Sequence, residues 1–391
     1  MTEPAPTPPD PAVAHPDADA LDVVVSYHQP VKAALLRGIL LPLAERCAEA
    51  GLTAHLERHW LHGPHLRLRL RGPADRLGPT AEHAAAELRD WLAAHPSVSD
   101  RTEAELLVEA ARAGRAELIA PPYGPIHPDN TVRIEPVDLT ALRGLLGPDG
   151  VALRDDLLRA GLPALRSAAA FLGEHGDSAA ARVQLAVAAL TAHACAHPDG
   201  LAGGHWSYVS HLEDFLVYED QDGSLRLAFD RRWQSSRETV TALVGRVSGG
   251  RLTSWERRWA DWSTAAWELT EERHNAGADL HGLPLEYRER AAATGDPGAV
   301  ERWNQDIRTT YSEFHRLLRR SDPTGAMWSR PDYLIYRACT NALYRLFTLC
   351  DIRPLERYLA AHLVVRAVPA LTGQDWRSQV QAVIDAVERP S

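Results

Sequence analysis

The chain has 391 residues, 45% of them hydrophobic, and carries a formal net charge of −10 with a pI of about 6.0. That apolar content suffices for a sizeable core and excludes a disordered protein, while the acidic balance argues against nucleic acid as a partner and against an aminoacyl-tRNA-using ligase. Cys47, Cys195, Cys339 and Cys350 stand far apart with no CxxC pair, so neither a disulfide framework nor a zinc ribbon is expected, and a cytoplasmic setting fits.

The first 20 residues lack the basic start and apolar stretch of a signal peptide and read as a mobile tail; no apolar run reaches the ~20 residues of a membrane span. The β-branched run at 21–28 suits a strand, and a helix is predicted from Pro30 to Ala50, stopped by Gly51. Strands are expected at 52–60 and 65–72, joined by a turn at Gly63 and Pro64. In the second of these, Leu66, Leu68 and Leu70 face one way and His65, Arg67, Arg69 and Arg71 the other. Ala-rich helices follow at 79–94 and 101–118, then a short strand at 131–138.

From about 151 the apolar spacing is helical, interrupted by turn residues and by LRLAF at 225–229, which reads as a further strand. The predicted class is therefore α+β, with a mixed sheet and helices in an N-terminal region (21–147) and a helical region (148–391). No linker divides 21–391, so one catalytic domain is expected.

His59, His62 and His65 invite a zinc reading, but no acidic fourth ligand accompanies them; His193 and His197, four apart on a helix, lack the glutamate of a zincin. No metal site is assigned. There is no GxGxxG loop after a strand, no Walker loop and no GxSxG elbow, so nucleotide-dependent and serine-hydrolase chemistries have no support. The Arg67, Arg69, Arg71 row fits either a solvated edge strand or a surface that holds anions or carbonyls. Trp255, Trp259, Trp262 and Trp267 recur near helical spacing, as core packing or as a peptide-stacking groove, with core the expected use.

The segment ERHWLHGPHLRLRLRG (57–72) resembles the opening motif of the lantibiotic-dehydratase C-terminal family, also called the thiopeptide-type bacteriocin biosynthesis domain. HWSYVSHLEDFL at 205–216 resembles its SH-containing helix, and residues 338–364 resemble its C-terminal helix pair, in the same order. The resemblance implies the fold of the elimination domain, in which glutamate is removed from glutamylated Ser or Thr by strand arginines and a histidine in an HMxxNR-like helix. Here that helix reads TNALYR: with Tyr344 and Arg345 in the Asn-Arg place, Thr340 stands where the histidine should be. This departure turns the resemblance toward the stand-alone pyridine synthases of thiopeptide biosynthesis.

For such an enzyme the resemblance implies a formal [4+2] cycloaddition between two dehydroalanines of a modified precursor peptide. Water and the leader peptide are then lost, in a cyclase of lyase type without metal, nucleotide or other cofactor. General acid–base work would fall to Tyr208, Ser210, His211, Tyr336 and Tyr344 on the motif helices, and substrate binding to Arg67, Arg69, Arg133 and Trp206. Tyr208, His211 and Tyr344 are expected to line one cavity with Arg67 and Arg69, and the leader to dock on the N-terminal α+β region. A split-dehydratase glutamate eliminase with its base moved to His211, and a non-catalytic precursor-binding protein, are the alternatives. The oligomeric state stays open, a homodimer included.

Overall fold

The computed structural model describes residues 19–388 apart from Leu283, and the side chains at 284–286 are likewise outside the description. Most of the predicted tail therefore lies outside the described residues. Four strands, β1 (Ala20–Ser26), β2 (Thr53–His59), β3 (His65–Arg71) and β4 (Thr131–Pro136), form a sheet in the order β2-β3-β1-β4. Every neighbouring pair is antiparallel, so the sheet is not the mixed one expected. The β2–β3 hairpin turns through His62 and Gly63, both at positive φ, and a Cβ at Gly63 would lie 3.1 Å from Ile126 and 3.2 Å from His28 Nε2.

Register explains why the strands carry two unlike faces. Leu66, Leu68 and Leu70 stand opposite Val25, Val23 and Leu21 of β1, and the leucines are fully buried. On that face lie α1 (Ala33–Leu35), a π-helical turn (Leu36–Leu40), α2 (Leu41–Glu49) and α3 (Ala74–Ala94), which share one hydrophobic cluster with the strands. The predicted first helix thus begins three residues after Pro30. The opposite face carries Asp22, Ser26, His55, Glu57, His59, His65, Arg67, Arg69 and Arg133. Because β3 is hydrogen-bonded on both sides, the edge-strand reading of its arginine row is overturned.

After α4 (Glu103–Glu117), opened by a Thr102–Glu105 capping box, and β4, the chain is helical. It runs through α5 (Thr140–Ala160, bent at Gly147), α6 (Leu162–Glu174), α7 (Ala179–Cys195), α8 (Gly200–Gly204), α9 (Trp206–Glu219) and α10 (Ser224–Ser248). It continues through α11 (Ser254–Asn275), α12 (Pro284–Ala293), α13 (Pro297–Trp303), α14 (Glu313–Ser321), α15 (Pro331–Leu349), α16 (Pro354–Thr372) and α17 (Trp376–Val387). The LRLAF segment is no strand: it opens α10, where Phe229 is buried against Leu212 and Leu216 of α9. Its alternation is shorter than the helical pattern that continues to Ser248.

α7 is buried almost without interruption from Leu185 to Ala194 and packs against α10, α11 and α16, as an Ala-rich helix with no polar face must. The tryptophans of α11 serve the core: Trp259 and Trp262 are buried, Trp262 Nε1 donates to the Leu157 carbonyl at 3.1 Å, and Trp255 stacks on Phe171. No single described helix is long and apolar enough to cross a membrane; α7 with α8 and α9 passes only as a pair bent by 110°.

Lys32 is the only lysine in the sequence, and it is buried. Its Nζ donates to the carbonyls of Tyr27 and Gln29 at 2.5 and 2.6 Å, while its backbone N–H donates to Asp351 at 2.8 Å. Asp351 also receives Arg58, whose Nη1 donates to the Thr348 carbonyl at 3.1 Å. This network ties the end of β1 and strand β2 to the C-terminal end of α15.

Candidate functional site

α15 stands between two polar groups, and its own sequence aims it at both. Asn341 and Arg345 lie along its exposed stripe, and Tyr344 is half-buried beside them. At 100° per residue, Tyr344 and Arg345 point to opposite sides of the Asn341 position.

On the Tyr344 side, the phenol oxygen lies 3.1 Å from His211 Nδ1 on α9, and the Arg357 guanidinium of α16 covers the Tyr344 ring at 4.3 Å. Burial, then the Arg357 cation, push His211 down to about 4, so the imidazole is neutral at pH 7; burial pushes the Tyr344 phenol up, so it keeps its proton. A neutral base and a neutral acid therefore share one proton, at half-buried positions within two helices.

Behind this pair the polar groups are sealed in. Tyr208, fully buried, donates to the Leu190 carbonyl at 2.7 Å and meets the Tyr336 hydroxyl at 3.2 Å. The His193 ring stacks on Tyr336 at 4.5 Å, and its Nε2 lies 3.0 Å from Thr340 Oγ1, which in turn donates to the Tyr336 carbonyl at 2.8 Å. Burial holds His193 near 3, neutral. Thr340 thus has no free hydroxyl to offer a substrate.

On the Arg345 side, Arg345 approaches Glu117 of α4 at 3.5 Å, and Glu117 accepts from Trp60 Nε1 at 3.0 Å. The paired residues His59 and His65 stack at 5.6 Å, and Arg67 Nε donates to His65 Nε2 at 3.0 Å. Arg133 is engaged with Glu135 and Ser26. Arg69 differs from Arg67 in kind: it is buried, bonded to both oxygens of Asp22 at 2.9 Å and 3.1 Å from Glu57, which also receives Arg154 of α5. Burial alone would raise Glu57, but Arg154, His55 and Arg69 hold it well below the usual carboxylate range.

The sequence-predicted residues therefore divide. His211 and Tyr344 meet, as do Tyr208 and Tyr336, but Tyr208 lies in the core and lines no opening. Ser210 bonds His315 at 3.0 Å, and Trp206 donates to Gln379 and packs edge-on against Phe314. Arg69 is held by acidic partners rather than turned toward a ligand. Among the described residues no hydrogen bond or ion pair links Arg67 or Arg69 to the tyrosines; α15 is what joins the two groups.

His55, Glu57 and Asp155 bring three ligand atoms within 4.8 Å of one another. Arg154 bonds both Glu57 and Asp155, and Arg69 lies against Glu57, so guanidinium charge occupies the place a cation would take. His59 has its Nδ1 occupied by the Leu61 N–H and His65 its Nδ1 by the Gly63 carbonyl, which leaves the HWLHGPH histidines no converging lone pairs.

Arg357, His315, Glu57, Asp155 and Arg154 were missed in sequence. Glu57, which opens the first family-like segment, and Arg357, inside the third, carried a signal that could have found them.

A four-stranded antiparallel sheet whose polar face meets a large helical region, with a histidine–tyrosine pair on the motif helices, defines a class of α+β protein. The chain belongs to the lantibiotic biosynthesis dehydratase C-terminal family, whose match covers residues 21–368. In fold it is similar to the pyridine synthase TbtD from thiomuracin biosynthesis, with a TM-score of 0.64, 20% identity, and 91% of this chain and 99% of that one covered. It is also similar to TsrL, with a TM-score of 0.60, 17% identity, and 95% and 99% covered. No curated protein matches it in sequence.

Proposed function

We propose that this protein is a pyridine synthase acting on a modified precursor peptide: it joins two dehydroalanines in a formal [4+2] cycloaddition, then releases water and the leader peptide to leave an aromatic pyridine. One observation carries the choice within the family. Thr340, in the place of the eliminase histidine, is sealed in the core, while one turn later Tyr344 presents a phenol hydrogen-bonded to the neutral His211. The fold likeness to a pyridine synthase supports the same reading.

The amide beside one dehydroalanine must tautomerise to its iminol before it reacts as a 2-azadiene, so one proton leaves nitrogen and one reaches oxygen. Neutral His211 accepts at Nε2 and protonated Tyr344 donates; the Nδ1 proton then passes along their shared hydrogen bond to the phenolate, which leaves both groups neutral again. Ring closure needs the two distant residues held together, a contribution on the order of 7–11 kcal/mol for a well-positioned pair. Tyr344 next assists departure of water, and loss of the leader as an amide gives the aromatic ring. No step changes the net oxidation state, so no redox cofactor is required. Tyr208 and Tyr336 hold α9 and α15 in place from behind, and Arg67 binds a substrate carbonyl. Among the described residues no strand pairs with the outer edge of β4, and that edge offers its backbone groups to an extended leader.

The test is a bis-dehydroalanine peptide carrying its leader. Macrocycle and leader amide seen by mass spectrometry are the expected products. Release of glutamate from a glutamylated peptide, with no macrocycle, would make the protein an eliminase with His211 as base.

A further inference from the structure

The hairpin β2–β3 ends in a histidine that the tyrosine–histidine pair does not use. His59 is half-buried at the last position of β2, its ring stacked on Trp60 at 5.4 Å and on His65 at 5.6 Å. Its Nδ1 accepts the Leu61 N–H at 3.1 Å, which fixes the ring's proton on Nε2. Next to it, His65 is fixed the other way round: its Nδ1 faces the Gly63 carbonyl at 2.9 Å and its Nε2 accepts from Arg67 Nε at 3.0 Å. Arg67 is thereby oriented through Nε, and its two terminal nitrogens have no hydrogen-bond partner among the described residues. Arg345, on the exposed stripe of α15, brings a second guanidinium near His59.

We infer that His59 is a further catalytic residue, its Nε2–H donating, together with the Arg67 terminal N–H groups, to the carbonyl oxygen of the second dehydroalanine, on which negative charge develops as the ring closes. This deepens the pyridine synthase reading and rests on it. The chemistry favours such an oxygen over a metal or an acidic proton. The only lone pair of His59 is occupied, which leaves a donor alone, and two guanidiniums nearby favour negative charge at its tip. Burial, then Arg67 and Arg345, push His59 down to about 3, so it stays a neutral donor at working pH. A neutral donor beside fixed cations interacts more strongly with a developing oxyanion than with the ground-state carbonyl.

The experiment has two arms. In the first, full-length protein labelled with ¹⁵N-histidine is titrated from pH 8 to pH 5, with the His59 signals assigned by their loss in His59→Gln. A neutral ring protonated at Nε2 throughout is expected; a ring that is cationic at pH 6, or protonated at Nδ1, overturns the inference regardless of activity. In the second, macrocycle formation from the bis-dehydroalanine peptide is measured. His59→Phe should lower kcat about 10²- to 10³-fold with KM within a few-fold, and His59→Gln, which keeps an N–H, should recover part of the loss. A His59→Phe enzyme as fast as wild type sinks this inference alone. A wild type that makes no macrocycle while releasing glutamate overturns both it and the pyridine synthase reading.

Discussion

His211 Nδ1 and the Tyr344 phenol oxygen lie 3.1 Å apart although 133 residues separate them in sequence. In the proposed mechanism each needs the other: the imidazole is a base because burial and Arg357 keep it neutral, and the phenol is an acid because burial keeps it protonated. Tyr344→Phe and His211→Ala should each lower kcat for macrocycle formation by about 10²- to 10⁴-fold, with peptide affinity nearly unchanged. Tyr208→Phe, behind them in the core, should stay within a few-fold of wild type. Steady-state kinetics and peptide affinity by calorimetry decide; full activity in both Tyr344→Phe and His211→Ala removes the assignment.

Arg67 and Arg69, two apart on one strand, should fail differently. Arg69→Ala leaves Asp22 without its buried cation and Glu57 with Arg154 alone, and should destabilise the fold by about 3–5 kcal/mol. Arg67→Ala removes only the bond to His65 and should leave stability within about 1 kcal/mol, while peptide affinity and turnover fall together. Urea unfolding of both variants, beside peptide binding, checks the split. Equal destabilisation would contradict it.

Several histidines are buried in the neutral form, and the sign of their effect on stability is fixed. Burial lowers His59 and His193 to about 3 and His205 and His211 to about 4, against 6.5 for the unfolded side chain. Below pH 6.5 the unfolded chain takes up protons that the folded chain refuses, so stability is full above 6.5 and falls as pH drops toward 4. The urea midpoint at pH 5 should lie clearly below that at pH 7.5. A flat or rising midpoint on acidification would show that these rings are charged in the fold.

Lys32 offers a probe because no other lysine competes with it. An amine-acylating reagent should add one more label to the urea-unfolded chain than to the native one, and mass spectrometry should place that label on Lys32. Lys32→Arg should cost about 1–3 kcal/mol, since the larger guanidinium must enter a site closed around a single ammonium between the Tyr27 and Gln29 carbonyls. Native labelling of Lys32, or an unchanged urea midpoint in the variant, would show the site to be open.

Strand β3 shows what the sequence by itself determined. Its strict alternation assigns leucines and arginines to opposite faces, and the structure keeps every one of those assignments, because side-chain direction along a strand is a local property of the backbone. The helical run after 151 and the core role of Trp259 and Trp262 were legible for the same reason, whereas LRLAF misled because five residues are too few to tell a strand from the first turns of a helix. What pattern does not contain is who stands across from each residue. Arg67 and Arg69 are identical in type and direction, yet Asp22, Glu57 and Arg154 close over one and leave the other half-open, and those partners come from β1, β2 and α5. Tyr208 and Tyr344 likewise share a residue type and a motif context. Only the packing of α7 and α16 around them decided that one hydroxyl meets a backbone carbonyl in the core and the other meets a histidine near the surface. Burial and pairing are long-range quantities, and they turn a set of plausible residues into a site.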